Sequence, residues 1–462
     1  MMQLKFNIRL IFLLFFIGWT LSCEALNNDM PDVVATVGNR KISQKEFTFA
    51  YEFAPRSTTQ LGKRTAFNKT INKIIDKILL AEEGRSRGYD NDTAIDRITD
   101  FYRRAAIVRE LYLKHVRDPV IISEEEMRLA YKKLKTTLYV KNYVFEDINE
   151  VKNISSDVVD ISHIPIFTGV KTIRYKTFGL VDIIHWNDLN KNIEEILFQL
   201  QVNQLSEPYF DGKRYHIFQI VDKEYDIFLT ENDFYSKRLS LQKVIRRRKE
   251  HDIAFNYMKK IMKPQNLIIK ANSLDKLTDL FWNLRKQSEI MIQSPTIREI
   301  TGISDNANIL YEPIALFHAG DWTIEDFLFN YELKPIDIRY NSKMSVKSGL
   351  KNAIAILVRD YVLSEQGIKE GLENNTAVID EVQHWEDKLF SNKVKRDLFS
   401  DLVGSLPDTT ELEKYYDNML SEFLQDLRNK SHIEVDTSAL YAVITSDEGL
   451  PRKIDFVSTL IE

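Results

Sequence analysis

Four groups of residues in this 462-residue chain have types and spacings suited to chemistry. The first is Cys23, the single cysteine. It closes the stretch TLSC behind Lys5, Arg9 and the apolar run LIFLLFFIGW, Leu10 to Trp19. That run is short for a membrane span and right for the central region of a secretion signal. With Ser22 before it, Cys23 stands where a bacterial lipoprotein signal places the cysteine that receives lipid. Thr20 holds the place usually given to Leu, and ordinary cleavage after Ala25, on the small-x-small pattern Cys23-Glu24-Ala25, is the alternative. The lipidated reading is preferred because an exported chain that uses cysteine once needs a reason for it. The second is His216, in the strand-like RYHIFQIV, where a lone histidine is either an acid–base group or a structural, hydrogen-bonded one. The third is the carboxylates Glu124 to Glu126 and Glu194-Glu195, which at helix starts read as stabilising the dipole and a solvated face. The fourth is IRRRKEH, Ile245 to His251, the one basic cluster, read as a solvated helix face beside acidic neighbours.

Other chemistry is excluded by pattern. The sequence has no GxxxxGK[ST] phosphate loop, no HExxH among its eight histidines and no GxSxG elbow. No nucleotide, metal or other cofactor is therefore expected. The 63 basic and 68 acidic residues leave a net charge of −5, so binding to nucleic acid does not follow from charge. With 44% hydrophobic residues the chain reads as globular, long enough for two or more cores. No second membrane span follows Cys23, and the mature protein is expected outside the cytoplasm without disulfides.

The elements that would position these residues come from periodicity. VVATVGNRKIS has the form of a hairpin turning at Gly38-Asn39, and EFTFAYE, from Glu46, opens a helix. The next helix carries Phe67, Ile71, Ile74, Ile75, Ile78 and Leu79 and stops near Gly84 and Gly88. Asp92 reads as an N-cap and Ser123 to Glu126 as a capping box. Leu138 to Phe145 and Arg214 to Val221 read as strands around a helix from about Asn190 to Leu200, and a long charged helix spans Glu231 to Met262.

The opening phrase occurs again. DFLFNYE, from Asp326, lies 280 residues after EFTFAYE, behind a second hairpin expected around Gly320-Asp321. The following helix carries Leu350, Ile354, Leu357, Val358, Tyr361 and Val362, each 283 after its counterpart, and Gly367, Gly371 and Thr376 keep that interval. Thr410 to Glu413 reads as another capping box. Together these predict an internal duplication.

VATVGNRKISQKEF, LLAEEGRSRGY, ISEEEMRLAYKK and QLSEPYFDGKRYHIFQIVD occur in the order that resembles exported chaperones of the SurA and PrsA type, which belong to the parvulin (rotamase) family of peptidyl-prolyl cis-trans isomerases. Ser206 and Pro208 resemble the turn before the last parvulin strand, which carries His216. Asn142 stands near the place of a first-strand histidine, and the glycine-rich segment is reduced to Phe178-Gly179-Leu180. The stretch 146–177 looks short for the family's usual helices.

The resemblance implies a mainly α protein with two helical modules flanking a small α+β parvulin-like domain. The expected division is a signal peptide 1–23, a linker 24–32, a module 33–137, the parvulin-like domain 138–225, a long helix returning to the first module within 226–290, a second module 296–435 and a C-terminal segment 436–462. The implied function is ATP-independent chaperoning of unfolded exported or outer-membrane proteins in the periplasm, anchored through Cys23, with His216 as the one catalytic candidate in a degenerate domain. An active isomerase on the same scaffold and a scaffolding lipoprotein with one fixed partner are the alternatives.

Overall fold

The computed structural model describes residues 33–53, 62–149, 171–175, 180–226, 230–287, 307–405 and 412–445. Cys23 with the signal and linker, Phe178-Gly179, most of 146–177, and Thr410-Glu411 of the expected capping box lie outside them.

In chain order, β1 (Val33–Val37), β2 (Arg40–Ser43), α1 (Gln44–Glu52), α2 (Lys63–Ser86) and α3 (Thr93–Tyr112) come first. A π turn, Leu113–Arg117, and α4 (Glu124–Leu134) lead to β3 (Thr136–Phe145), β4 (Thr172–Arg174), β5 (Leu180–Ile184), α5 (Lys191–Gln199), β6 (Tyr209–Phe210) and β7 (Tyr215–Tyr225). Next are α6 (Glu231–Met262), β8 (Ile268–Ile269) and α7 (Ala271–Gln287). The remainder is β9 (Pro313–Phe317), β10 (Gly320–Thr323), α8 (Ile324–Leu333), α9 (Lys343–Lys369), α10 (Thr376–Ser405), α11 (Leu412–Lys430), β11 (Ile433–Val435) and α12 (Thr437–Thr445). Among the described residues helix predominates, with three small antiparallel sheets.

The chain forms two compact units, 1–107 with 371–462, and 108–370. In the first, the β1–β2 hairpin turns at Gly38, whose φ of +55° suits a residue without a Cβ. Ser43 caps α1 by accepting from the Glu46 amide at 3.1 Å, so the acid that opens EFTFAYE sits at the third helical position. Phe47 and the α2 residues Phe67, Ile71, Ile75 and Leu79 form one core. That core also takes Ala439 and Leu440 of α12, and β11 pairs antiparallel to β1.

The second unit also carries a hairpin followed by two helices. Thr323 and Asp326 make a full capping box at α8, so the acid of DFLFNYE stands at the same third helical position as Glu46, whose carboxylate instead accepts from Arg40. Phe327, Tyr331, Leu350, Ile354, Leu357 and Val358 are buried together. The hairpin turn falls on His318-Ala319, ahead of the expected Gly320-Asp321, and Gly320 pairs with Phe317. Strand pairing sets this register, since a slip of one residue would turn the buried Trp322 toward water. The region expected to return to the first module divides. Helix α6 packs on α4 and the π turn, whereas Leu274, Leu277 and Phe281 of α7 enter the core beneath β9 and β10.

The five-stranded sheet of the second unit has the order β4-β5-β3-β7-β6. Helix α5 covers the face of Leu138, Val140, Phe218 and Ile220. Tyr139, Tyr143, Ile217 and Val221 line the opposite face, as strand alternation requires. The solvated readings of Glu194 and of the basic cluster do not hold throughout. Glu194 is fully buried and takes both prongs of Arg248 at 2.8 and 2.7 Å, while the Asn187 amide donates to the same carboxylate at 2.8 Å. The Arg248 guanidinium also lies over Trp186, which is how so basic a helix face becomes an attachment of α6 to the sheet domain.

Candidate functional site

On the face of the sheet that α5 covers, the row Leu138, Val140 on β3 and Ile220, Phe218 on β7 continues to Asn142 and His216. The structure thus brings together two residues that the sequence separates by 74 positions. His216 Nδ1 lies 3.1 Å from Asn142 Oδ1, and Nε2 lies 3.0 Å from Asp211 Oδ2. The ring stacks 6.0 Å from that of Phe218.

Asp211 was not among the residues singled out by sequence, although its signal was present. It precedes Gly212 in the tight turn between β6 and β7, where an Asp-Gly pair is the usual choice; Gly212 has φ of +100°. Its Oδ1 accepts from the amides of Lys213 and Arg214 at 2.7 and 2.8 Å. Those amides, Arg214 first, and then His216 hold the Asp211 carboxyl well below the usual carboxylate range. Because Asp211 stays ionised, His216 Nε2 donates to it. Nδ1 meets the Asn142 side-chain amide, which satisfies it in either orientation, by accepting from N–H or by donating to a bare nitrogen. Both ring nitrogens are therefore engaged within the protein.

The expected turn before β7 is tied to the same strand. Ser206 donates its amide to the Phe218 carbonyl at 2.8 Å and accepts the Phe218 amide on its hydroxyl at 2.9 Å. Pro208 leads into Tyr209, which pairs with His216. This fixes the position of the His216 strand without adding a group that faces a substrate.

A second kind of site is apolar. In the first unit Phe49 and Phe53, one helical turn apart at the end of α1, are 41% and 64% exposed while their rings lie 4.7 Å apart. Ile379, Phe399 and Val403 of α10 and Tyr415 of α11 are also exposed there. In the second unit Tyr235 and Leu239 of α6 stand one turn apart in solvent. Among the described residues no group of histidine, cysteine and carboxylates is arranged to hold a metal ion, and no helix is long and apolar enough to cross a membrane.

No family model and no curated protein matches this chain. Solved structures similar to it include a peptidylprolyl isomerase, PrsA, from Bacillus anthracis, at 12% identity and a TM-score of 0.20, covering 41% of this chain and 96% of that one. A SurA-like chaperone structure from Campylobacter jejuni has 13% identity and a TM-score of 0.22, covering 52% of this chain and 100% of that one. The foldase protein PrsA from Streptococcus pneumoniae has 13% identity and a TM-score of 0.21, covering 47% and 86%. TM-scores of this size carry no argument about the arrangement of this chain, so function rests on the residues just described.

Proposed function

We propose that this protein is an ATP-independent chaperone for unfolded exported polypeptides, built from two copies of a helical module and carrying a parvulin-like domain without catalysis. The observation that carries the second half is the engagement of His216 by Asn142 and Asp211. Lowering the rotation barrier of a prolyl amide, about 18–20 kcal/mol, asks a site to bind the twisted amide with free, suitably placed polar groups. A histidine whose two nitrogens are both bonded within the protein offers none. The exposed aromatic pair Phe49 and Phe53 supports the first half, because unfolded chains are held by apolar contact without sequence readout.

The duplication draws on geometry as well as on the repeated phrase. Gly88 and Gly371, 283 residues apart, have φ of +78° and +74° and precede matching 3-10 turns. The export signal and the lipid anchor at Cys23 belong to the same proposal and rest on sequence.

Two assays test the reading. In a protease-coupled assay on a proline tetrapeptide, the full chain and His216→Ala are expected to show the same uncatalysed rate. A faster rate that His216→Ala abolishes would establish the isomerase instead. In light-scattering assays on several unrelated unfolded proteins, the chain is expected to suppress aggregation without nucleotide, and Phe49→Ser with Phe53→Ser to weaken this severalfold. Suppression of none of them would remove the chaperone reading and leave the scaffolding lipoprotein.

A further inference from the structure

Each hairpin is completed by a third strand followed by a helix, and the two completions are the same in detail. Ala35 of β1 pairs with Val435 and Thr36 with Glu434. Ala315 of β9 pairs with Ile269 and Leu316 with Ile268. The hairpin residues are 280 apart and their partners 166 apart, at both positions. The next bond keeps both intervals, since Asp436 donates its amide to the Val34 carbonyl at 3.0 Å and Lys270 donates to Ile314 at 2.9 Å. The first helical bonds of α12 and α7, from Leu440 to Asp436 and from Leu274 to Lys270, are both 2.9 Å. Leu440 and Leu274 are both buried in the core beneath their respective hairpins.

Segments 268–287 and 433–445 are thus equivalent. In both cases they follow the last long helix of a copy, α6 or α11. Segment 433–445 comes at the end of the second copy, so 268–287 is the end of the first. The end of the second copy nevertheless closes the hairpin of the first, and the end of the first closes the hairpin of the second. The change of interval from 283 to 166 leaves 117 additional residues in the first copy, between α3 and the latter part of α6. That stretch contains α4, the five-stranded sheet domain and the start of α6, whose Met127, Tyr131, Trp186, Phe234 and Leu241 share one core.

An independent contact agrees. Tyr102 of α3 and Trp385 of α10 occupy equivalent positions, 283 apart, and their rings stack face to face with centroids 3.4 Å apart and planes within 6°. A residue that touches its own equivalent is what a self-complementary contact between two copies produces.

We infer that the chain is a fused dimer: two copies of one module whose closing strand and helix are exchanged, with the sheet domain inserted into the first copy alone. This rests on the duplication proposed above. The binding partner of each hairpin edge is the closing segment of the other copy.

Hydrogen exchange on the full chain, followed by mass spectrometry, tests it. Leu440→Ala is expected to speed amide exchange about tenfold or more in residues 33–43 and 67–79 while leaving 313–323 and 350–362 unchanged. Leu274→Ala is expected to do the reverse. If Leu440→Ala instead exposes 313–323, each copy closes its own hairpin, and the exchange fails while the duplication stands. If neither hairpin responds to either substitution, the equivalence of the two segments fails, and the duplication with it. Should an alanine variant not fold, Leu440→Val and Leu274→Val make the same comparison, and equal loss of protection at both hairpins in both variants overturns the exchange.

Discussion

Glu370, at the end of α9, shows how much a single carboxylate can gather. It accepts from Lys114 at 2.8 Å, from Gln366 at 3.0 Å and from the Tyr257 hydroxyl at 3.4 Å, and it lies 2.7 Å from His115 Nε2. Burial pushes its carboxyl up, but Gln366, Lys114 and His115 outweigh that and hold it at about 2. A carboxyl depressed in the fold stabilises it above the unfolded value of about 4.3, and the contribution is lost as pH falls through about 2. The melting temperature of Glu370→Gln is therefore expected to fall less steeply than that of the parent chain between about pH 4 and pH 2, a difference thermal scans across that range would measure. Glu194 offers a second test at this scale. Glu194→Ala leaves the half-buried Arg248 beside Trp186 with Asn187 Oδ1, at 3.2 Å, as a remaining partner, and is expected to cost about 1.5–3 kcal/mol in denaturant unfolding. Neither role was legible in sequence. Glu194 and Arg248 each carry the local signature of a solvated helix, and only the packing of α6 on the sheet domain joins them. Asn142 was legible through the family resemblance, whereas Asp211 had just its Asp-Gly turn to mark it.

The long helices were the most legible elements, because an apolar stripe of interval three and four sustained over nearly four turns has few other meanings. Phe67 to Leu79 and Leu350 to Val362 face their cores as that spacing requires. Leu350, with no exposed surface, is expected to cost about 2–5 kcal/mol on replacement by alanine, read as a shift in the unfolding midpoint. The closing strands were not legible. Strands of two and three residues, β8 and β11, are too short to show alternation, and nothing local in Ile268-Ile269 names Ala315 and Leu316 as partners. The helices after them were placed by chain order, α7 with the first module and α12 in a separate tail. In the structure α7 lies beneath the β9–β10 hairpin and α12 beneath the β1–β2 hairpin, where the apolar faces of Leu274, Leu277 and Phe281 and of Ala439 and Leu440 find their complements.

At the scale of the molecule, the exchange we infer sets how the two copies are held. A chain given a protease site within 288–306 and cut after purification is expected to elute as one species, since each compact unit contains parts of both copies. Elution as two separate fragments would contradict this. The exchange also imposes an order in time. Ala35 waits for Val435, 400 residues later. At the usual rate of synthesis, 5–20 residues each second, that separation amounts to about 20–80 s during which β1 has β2 beside it but lacks β11. The β9–β10 hairpin has no such delay, for β8 is already made when it emerges. The second hairpin can therefore close first, and a chain stopped short of residue 433 leaves the edge of its own beginning open.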